Sequence, residues 1–524
     1  MLGSASFRTG IAPGGALAGP WVRNPLWTSA RAVPSLDLRF ADNKSLVDAT
    51  TGAQLVTFTR ASSGTYVGSD GLVKTAVTNL VLRSEEFDNA YWTKTNSSTT
   101  QDAIAAPNGT ITADLLIENS ASSTHLVSVG GGMLSGTTYT YSVYAKAAGR
   151  DWLIMSPGST WGYGWFNINN GTLGTLVNGG SNPTAAINAV GNGWYRCSIT
   201  LTAVANAGIQ FLMAASNGTV TYTGNSTSGI YLWGAQLEQS STVGEYIPTT
   251  STINSAPRFD HNPTTGESLG LLVEEARTNL LLNSATLSTQ SVTVAAAANT
   301  LSFYGTGTVT LTGVSTAGPL VGTGANNRVS LTFTPTVGVL VLTVSGSVTN
   351  AQLEAGAFAT SYIPTTTATA TRAADVASIT GSNFSSWYNQ TEGTVFFEGI
   401  NPAISTTAFA VSDGSTNNRL QMESGTNSRI ARVVSGGTTQ AANSIAYTYG
   451  TSQRFAISYA TNSINFANAG TLGTEDTSAT IPTVDQARIG ANPTGANPLN
   501  STIKRLTYWP VRLPNTSLQA ITQP

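Results

Sequence analysis

Charge, cysteine, histidine and long apolar runs are all scarce in this 524-residue chain. Only 10% of residues are charged, against roughly 25% in ordinary soluble domains. The formal net charge is −2 and no run of five basic residues occurs. The chain therefore lacks the clustered Lys and Arg that nucleic-acid phosphates or an anionic membrane surface demand. Its longest aliphatic run, about Val339 to Val344, falls far short of the ~20 residues that span a bilayer. A single cysteine, Cys197, excludes an internal disulfide framework. Set in Trp194-Tyr195-Arg196-Cys197-Ser198-Ile199-Thr200, it reads as a small core residue of a strand. The two histidines, His125 and His261, are too scattered for a His-rich metal site. The first twenty residues hold one Arg and several Gly but no continuous apolar core, which makes a poor signal peptide. No Gly-x-Ser-x-Gly elbow, His-Glu-x-x-His helix or phosphate loop is present.

What is abundant is Thr, Ser, Asn and Gly, with 53 Gly, beside a hydrophobic share of 40%. Thr favours strands, and Gly, Asn and Ser favour turns. The expectation is an all-β protein of several β-sandwich or jelly-roll modules joined by short β-hairpin connectors. The length suggests three or four domains at about 150 residues each. A low-charge β chain without disulfides suits a protein assembled in bacterial cytoplasm that later works outside.

One phrase is written twice. Ala235-Gln236-Leu237-Glu238 is followed by Tyr246-Ile247-Pro248-Thr249-Thr250. Ala351-Gln352-Leu353-Glu354 is followed by Tyr362-Ile363-Pro364-Thr365-Thr366. Both elements recur at an offset of 116, so one kind of module end is used twice. Within the phrase, Pro cannot donate to a ladder and ends the strand or sets it on an edge. A structural reading of Glu238 and Glu354 follows, since both sit at a module's exit strand.

A second stretch also recurs. Leu36-Asp37-Leu38-Arg39-Phe40 alternates like a half-buried strand, Asp70-Gly71 marks a hairpin turn, and Thr78-Asn79-Leu80 closes the segment. Further on, Pro257-Arg258-Phe259-Asp260, a turn at Thr264-Thr265-Gly266-Glu267, and Thr278-Asn279-Leu280 repeat the plan. A third trace is Thr371-Arg372-Ala373-Ala374-Asp375. The expected organisation is an irregular arm over 1–34, a connector over 35–83 and a β module over 84–250. A second connector over 251–283, a smaller module over 284–366 and a last sandwich over 367–524 follow. The arm carries Trp21 and Trp27, which are expected to dock on a partner surface or on the chain's own next domain.

Candidate chemistry is sparse. Glu85-Glu86 and Glu274-Glu275 are adjacent pairs, and neighbours on a strand point to opposite faces. Neither pair makes the facing dyad that glycoside hydrolysis needs. The aromatic cluster Trp152, Trp161, Tyr163 and Trp165 is more suggestive. Alternation places Trp161, Tyr163 and Trp165 on one face, with glycines between them. Such rings form either the core of the first sandwich or an apolar platform for sugar C–H groups. Asp-rich loops leave room for a structural Ca²⁺, although no oxygen-ligand spacing stands out. No other cofactor is expected.

Two stretches carry a resemblance. The first is Leu36-Asp37-Leu38-Arg39-Phe40-Ala41, Phe58-Thr59-Arg60-Ala61-Ser62-Ser63-Gly64-Thr65-Tyr66 and Thr78-Asn79-Leu80-Val81-Leu82-Arg83-Ser84-Glu85-Glu86-Phe87. The second runs from Arg258-Phe259-Asp260-His261-Asn262 through Leu271-Leu272-Val273-Glu274-Glu275-Ala276-Arg277-Thr278-Asn279-Leu280. Both resemble virion appendage proteins of tailed bacteriophages, of the head spike, head fibre or tail fibre kind. The region 84–250 looks like a carbohydrate-binding-module jelly roll, and 367–524 like a concanavalin or laminin-G sandwich. The resemblance implies a virion structural protein, not an enzyme, that contacts host surface glycans, and the rings Trp152, Trp161, Tyr163 and Trp165 are the candidates for that contact. It implies attachment to other virion proteins through the arm bearing Trp21 and Trp27, and a homotrimer. Nucleic acid and membrane insertion are not expected. A polysaccharide depolymerase of the tailspike type and a capsid decoration protein without a ligand are the alternatives.

Overall fold

A computed structural model describes residues 25–158, 161–400 and 405–524. The chain is all-β, built of separate antiparallel sheets with a few short helices. The largest unit is a two-sheet sandwich near the C-terminus. One sheet contains the strands Glu392–Ile400, Ser452–Ala460, Ser463–Asn468 and Ser501–Trp509. The other contains Val376–Thr380, Thr407–Ser412, Arg419–Gly425, Ser428–Ser435, Thr438–Ala446 and Gln486–Ile489.

This sandwich is not made from the last segment alone. Leu36–Leu38 pairs with Ser501–Trp509, with Leu36 opposite Tyr508 and Leu38 opposite Leu506. Thr57–Thr59 pairs with Val376–Thr380. The hairpin Arg258–His261 and Ser268–Val273 extends the first sheet, with Leu271 opposite Ile503. The hairpins form where the sequence places them, but they are not free links between modules. Segments 35–83 and 251–283 supply strands to the sandwich of 367–524. The reason is visible in burial: Leu36, Leu38, Phe40, Leu271 and Val273 share one core with Val395, Phe409, Ile457 and Tyr508. Apolar faces this short cannot be buried within a hairpin of their own.

The first module stands as an insertion between these segments. Two six-stranded sheets enclose a core that includes Phe87, Trp92, Tyr141, Cys197, Phe211 and Leu237. Cys197 is fully buried, and burial pushes its thiol well above the usual range. The second module has sheets of four and three strands around Leu301, Phe303, Leu342 and Leu353.

The second module keeps the inner strands of the first. In the first, Thr138–Ala148 lies between Trp194–Thr202 and Gly229–Glu238. In the second, Asn299–Gly305 lies between Gly324–Phe333 and Val348–Ala355. Side chains match as well. Thr140 bonds Thr200 at 2.7 Å, and Thr300 bonds Thr332 at 2.9 Å. Arg196 donates to Ser142 and the Gly244 carbonyl, and Arg328 donates to Ser302 and the Thr360 carbonyl.

The repeated phrase is one half of a clasp that closes each module. Asn79 Nδ2 donates to the carbonyls of Ala235 (3.0 Å) and Ile247 (2.8 Å), while its Oδ1 accepts the N–H of Val81 and of Leu237. Asn279 makes the same four bonds to Ala351 (3.0 Å), Ile363 (2.9 Å), Leu281 and Leu353. Gln236 donates to Glu238 and accepts from Ile247 N–H, as Gln352 does with Glu354 and Ile363. The tyrosine of the phrase meets a serine at the module's start: Tyr246 with Ser84 at 2.7 Å, Tyr362 with Ser284 at 2.8 Å. The buried polar groups here are paired, as burial requires, with one exception: Glu238 Oε2 has no partner among the described residues, and burial raises that carboxyl above its usual range.

Candidate functional site

The four rings of the first module do not share a face. Tyr163–Asn167 is a strand paired with Trp152–Ser156, with Trp165 opposite Ile154. Side-chain alternation puts Trp152, Tyr163 and Trp165 on the outer face of that sheet. There they pack with Leu126, Ile154 and Leu212. Trp161 departs from them. Gly162 adopts φ +65°, and a Cβ there would run into Leu201 and Ser181. This left-handed turn breaks the alternation before the strand begins, so Trp161 swings into the main core, 5% exposed. The expected row of three rings is thereby corrected. Trp165 is also largely covered, at 4%, with Nε1 donating to the Thr219 carbonyl at 3.0 Å. Trp152 and Tyr163 remain half-buried and are the two rings of the cluster that a ligand can reach.

Trp27 is likewise relocated. Pro25–Ala30 forms a short helix, where Pro serves as a favourable first residue. Trp27 packs with Trp509, Leu513, Leu518 and Ile521, the last two on the helix Asn515–Thr522. Its Nε1 donates to Asp37 at 3.1 Å. Trp27 therefore docks on the chain's own sandwich and does not serve as a free anchor. Trp21 lies outside the described residues.

Where the three sandwich segments and the second module meet, the charged residues of a low-charge chain are gathered. Arg60, Arg258, Arg372, Glu274 and Asp375 are all buried. Arg60 reaches Asp375 Oδ1 at 2.8 Å, and Arg258 reaches Asp375 Oδ2 at 2.5 Å and Glu274 at 2.8 Å. Burial alone would raise the Glu274 carboxyl. The charges of Arg372 and Arg258 and two hydrogen bonds from Ser361 outweigh it and bring the group to about 2.

A cavity of about 240 Å³ opens beside the cluster, lined by Asp260, Glu274, Tyr304, Arg328 and Ser361 among others. Burial pushes the Asp260 carboxyl up to about 6, although it accepts the Val67 N–H at 2.6 Å. Two carboxylates with separated affinities for a proton resemble an acid–base pair. Glu274, however, is held by Arg258 and Ser361 through both oxygens, which leaves it poorly placed to attack or to activate water. The remaining candidate acids are also engaged: Glu275 with Arg277, Glu86 with Arg83, and Glu85 with the Tyr246 hydroxyl.

Among the described residues no group of three or more His, Cys, Asp or Glu is placed to hold a metal ion. No helix among them is long and apolar enough to cross a membrane.

No family model and no curated protein matches the chain. Solved structures that resemble it include domains LG4-5 of the mouse laminin alpha1 chain, at 8% identity. That alignment covers 74% of this chain and 85% of the other, with a TM-score of 0.16, too low to carry an argument.

Proposed function

We propose that the chain is a non-catalytic structural component of a tailed-phage virion, a fibre or spike that presents its β modules to host surface glycans. The observation that carries the display role is the shared hub. Both modules leave and re-enter one sandwich through the same clasp, and buried ion pairs tie the three segments of that sandwich together. Such construction fixes where a module stands relative to the rest, which suits a display scaffold and serves no reaction. The attribution to a phage particle rests on the sequence stretches around Arg60 and Arg258. With Trp27 engaged internally, attachment to other virion proteins falls to the residues around Trp21. Glycan contact falls to Trp152 and Tyr163. Assembly as a homotrimer would multiply weak contacts through effective concentration.

The test is direct. Antibody raised against the purified chain should decorate intact particles of the phage that encodes it and should block adsorption to host cells. Particles that stay unlabelled, with the protein found only in the lysate's soluble fraction, would refute the reading. Release of sugar from host polysaccharide by the purified chain would refute its non-catalytic part.

A further inference from the structure

One buried charge in the sandwich lacks a counter-ion. Arg429, on the strand Ser428–Ser435, is 0% exposed. Its guanidinium sits 4.2 Å from the Tyr447 ring, 5.6 Å from Phe397 and 5.8 Å from Phe455. Among the described residues none of its three nitrogens has a partner of full hydrogen-bond geometry, and the Tyr447 side chain is the polar neighbour that helps hold its charge. The other fully buried arginines, Arg60, Arg258 and Arg372, all stand against Asp375 or Glu274. The residues outside the described set contain no Asp or Glu, so no acid is hidden there. Burial pulls Arg429 down to about 10, and what holds it up is the phenols of Tyr447 and Tyr449, not a carboxylate. It stays charged at neutral pH. A charge held out of water without an acid is costly, and cation–π contacts offset only part of that cost.

On the other side of Tyr447 lies a cleft of about 680 Å³ at the edge between the two sheets, which Arg429 itself does not line. Its lining includes Asn427, Tyr447, Tyr449, Gln453, Asn468 and Thr471. Tyr447 thus belongs both to the cleft wall and to the ring cage around Arg429. Asn468 is 4% exposed. Its Nδ2 donates to the Ala446 carbonyl (3.2 Å) and to Gln453 Oε1 (3.0 Å), and its Oδ1 has no partner among the described residues. The cleft therefore combines aromatic walls and amide side chains, one with an unpaired acceptor just beneath the surface, and behind the Tyr447 ring stands a buried positive charge whose low-dielectric surroundings carry its field outward.

We propose that this cleft binds an acidic saccharide, a short run of sugars bearing carboxylates. Arg429 attracts the carboxylate through its field, without touching it, the amide side chains of Gln453 and Asn468 meet ring hydroxyls, and the tyrosines face the sugar's apolar C–H groups. The inference rests on the glycan-contact part of the function above, and it places a second contact in a different module from Trp152 and Tyr163.

Purified full-length chain is titrated by calorimetry with tetragalacturonate, tetraguluronate, neutral galactotetraose and galactose 6-phosphate. At least one uronate should bind, the neutral sugar should not, and binding should weaken as salt rises. Arg429→Met should cost about tenfold or more in affinity, with melting temperature unchanged or raised because an unpaired buried charge is gone. Gln453→Glu, on the rim and outside the core, should weaken binding as well and stands in if the first variant misfolds. Binding of the neutral sugar equal to that of the uronates, preference for the phosphate, unchanged affinity in the variants, or no uronate binding overturns the proposal. Particle labelling does not involve this cleft, so these outcomes leave the virion reading standing.

Discussion

Arg60 and Asp375 lie 315 positions apart and share a 2.8 Å hydrogen bond with both side chains out of water. Asp375 also accepts from Arg258 at 2.5 Å and from the Glu274 backbone N–H at 2.9 Å. One acid therefore receives one partner from the first segment of the sandwich and two from the second, while itself standing on the third. Three pieces of chain separated by two whole modules are brought to one carboxylate.

Replacing Asp375 with Asn keeps the shape and removes the charge. Arg60, Arg258 and Arg372 then face Glu274 alone. Leaving buried guanidinium groups uncompensated should cost about 3–5 kcal/mol. Urea unfolding followed by tryptophan fluorescence measures it, and a loss below about 1 kcal/mol would show that the cluster is not holding the hub.

The clasps should fail independently. Asn79→Ala removes four bonds and strands buried donors and acceptors, at a cost of about 2–4 kcal/mol. Hydrogen exchange should speed up at Val81 and Leu237, which lose their acceptor, and stay unchanged at Leu281 and Leu353. Asn279→Ala should do the reverse. Simultaneous loosening of both modules in either variant would contradict the separation of the two clasps.

The class of fold was legible because strand alternation and turn chemistry are local. The Asp70-Gly71 turn does join Thr65–Val67 to Val73–Thr75. The repeated phrase was legible as a module end, but not its partner, because Asn79 and Leu237 are 158 positions apart. The merging of the hairpins into one sandwich was hidden for the same reason, as Leu36 opposite Tyr508 shows. A signal was present in the recurring Arg60, Arg258 and Arg372, since isolated arginines in so uncharged a chain call for buried acids. The site suffered most from one residue. Gly162 turned the chain where alternation was assumed to continue, and moved Trp161 from the platform to the core.

Stability should vary with pH in two opposing steps. Burial places the Asp260 and Asp114 carboxyls at about 6 in the folded chain, against 3.8 unfolded. Between these values the folded state holds protons that the unfolded state has lost, so these groups weaken the fold as pH rises from about 4 to 6. Glu274 acts oppositely. Held at about 2 against 4.5, it contributes fully above 4.5 and loses that contribution as pH falls through about 2. The melting temperature should therefore rise on going from neutral pH to about pH 5 and drop at lower pH. Asp260→Asn combined with Asp114→Asn should flatten the first step and leave the acid limb. An unaltered profile in the double variant would refute the assignment.

Trp161 and Trp152 should behave differently on substitution. Trp161 fills the main core, so Trp161→Ala should lower stability by about 3–5 kcal/mol and reduce host binding only as far as the module unfolds. Trp152 and Tyr163 are half-buried on the outer face, and Tyr163 lies 5.4 Å from the covered ring of Trp165. Trp152→Ala with Tyr163→Ala should weaken adsorption to host cells while the module's melting transition moves little. Stacking on a sugar depends on the exposed ring face and not on the core beneath it, so the two readouts separate recognition from folding. If adsorption follows melting temperature across all three substitutions, the outer face plays no part in recognition and only its packing matters.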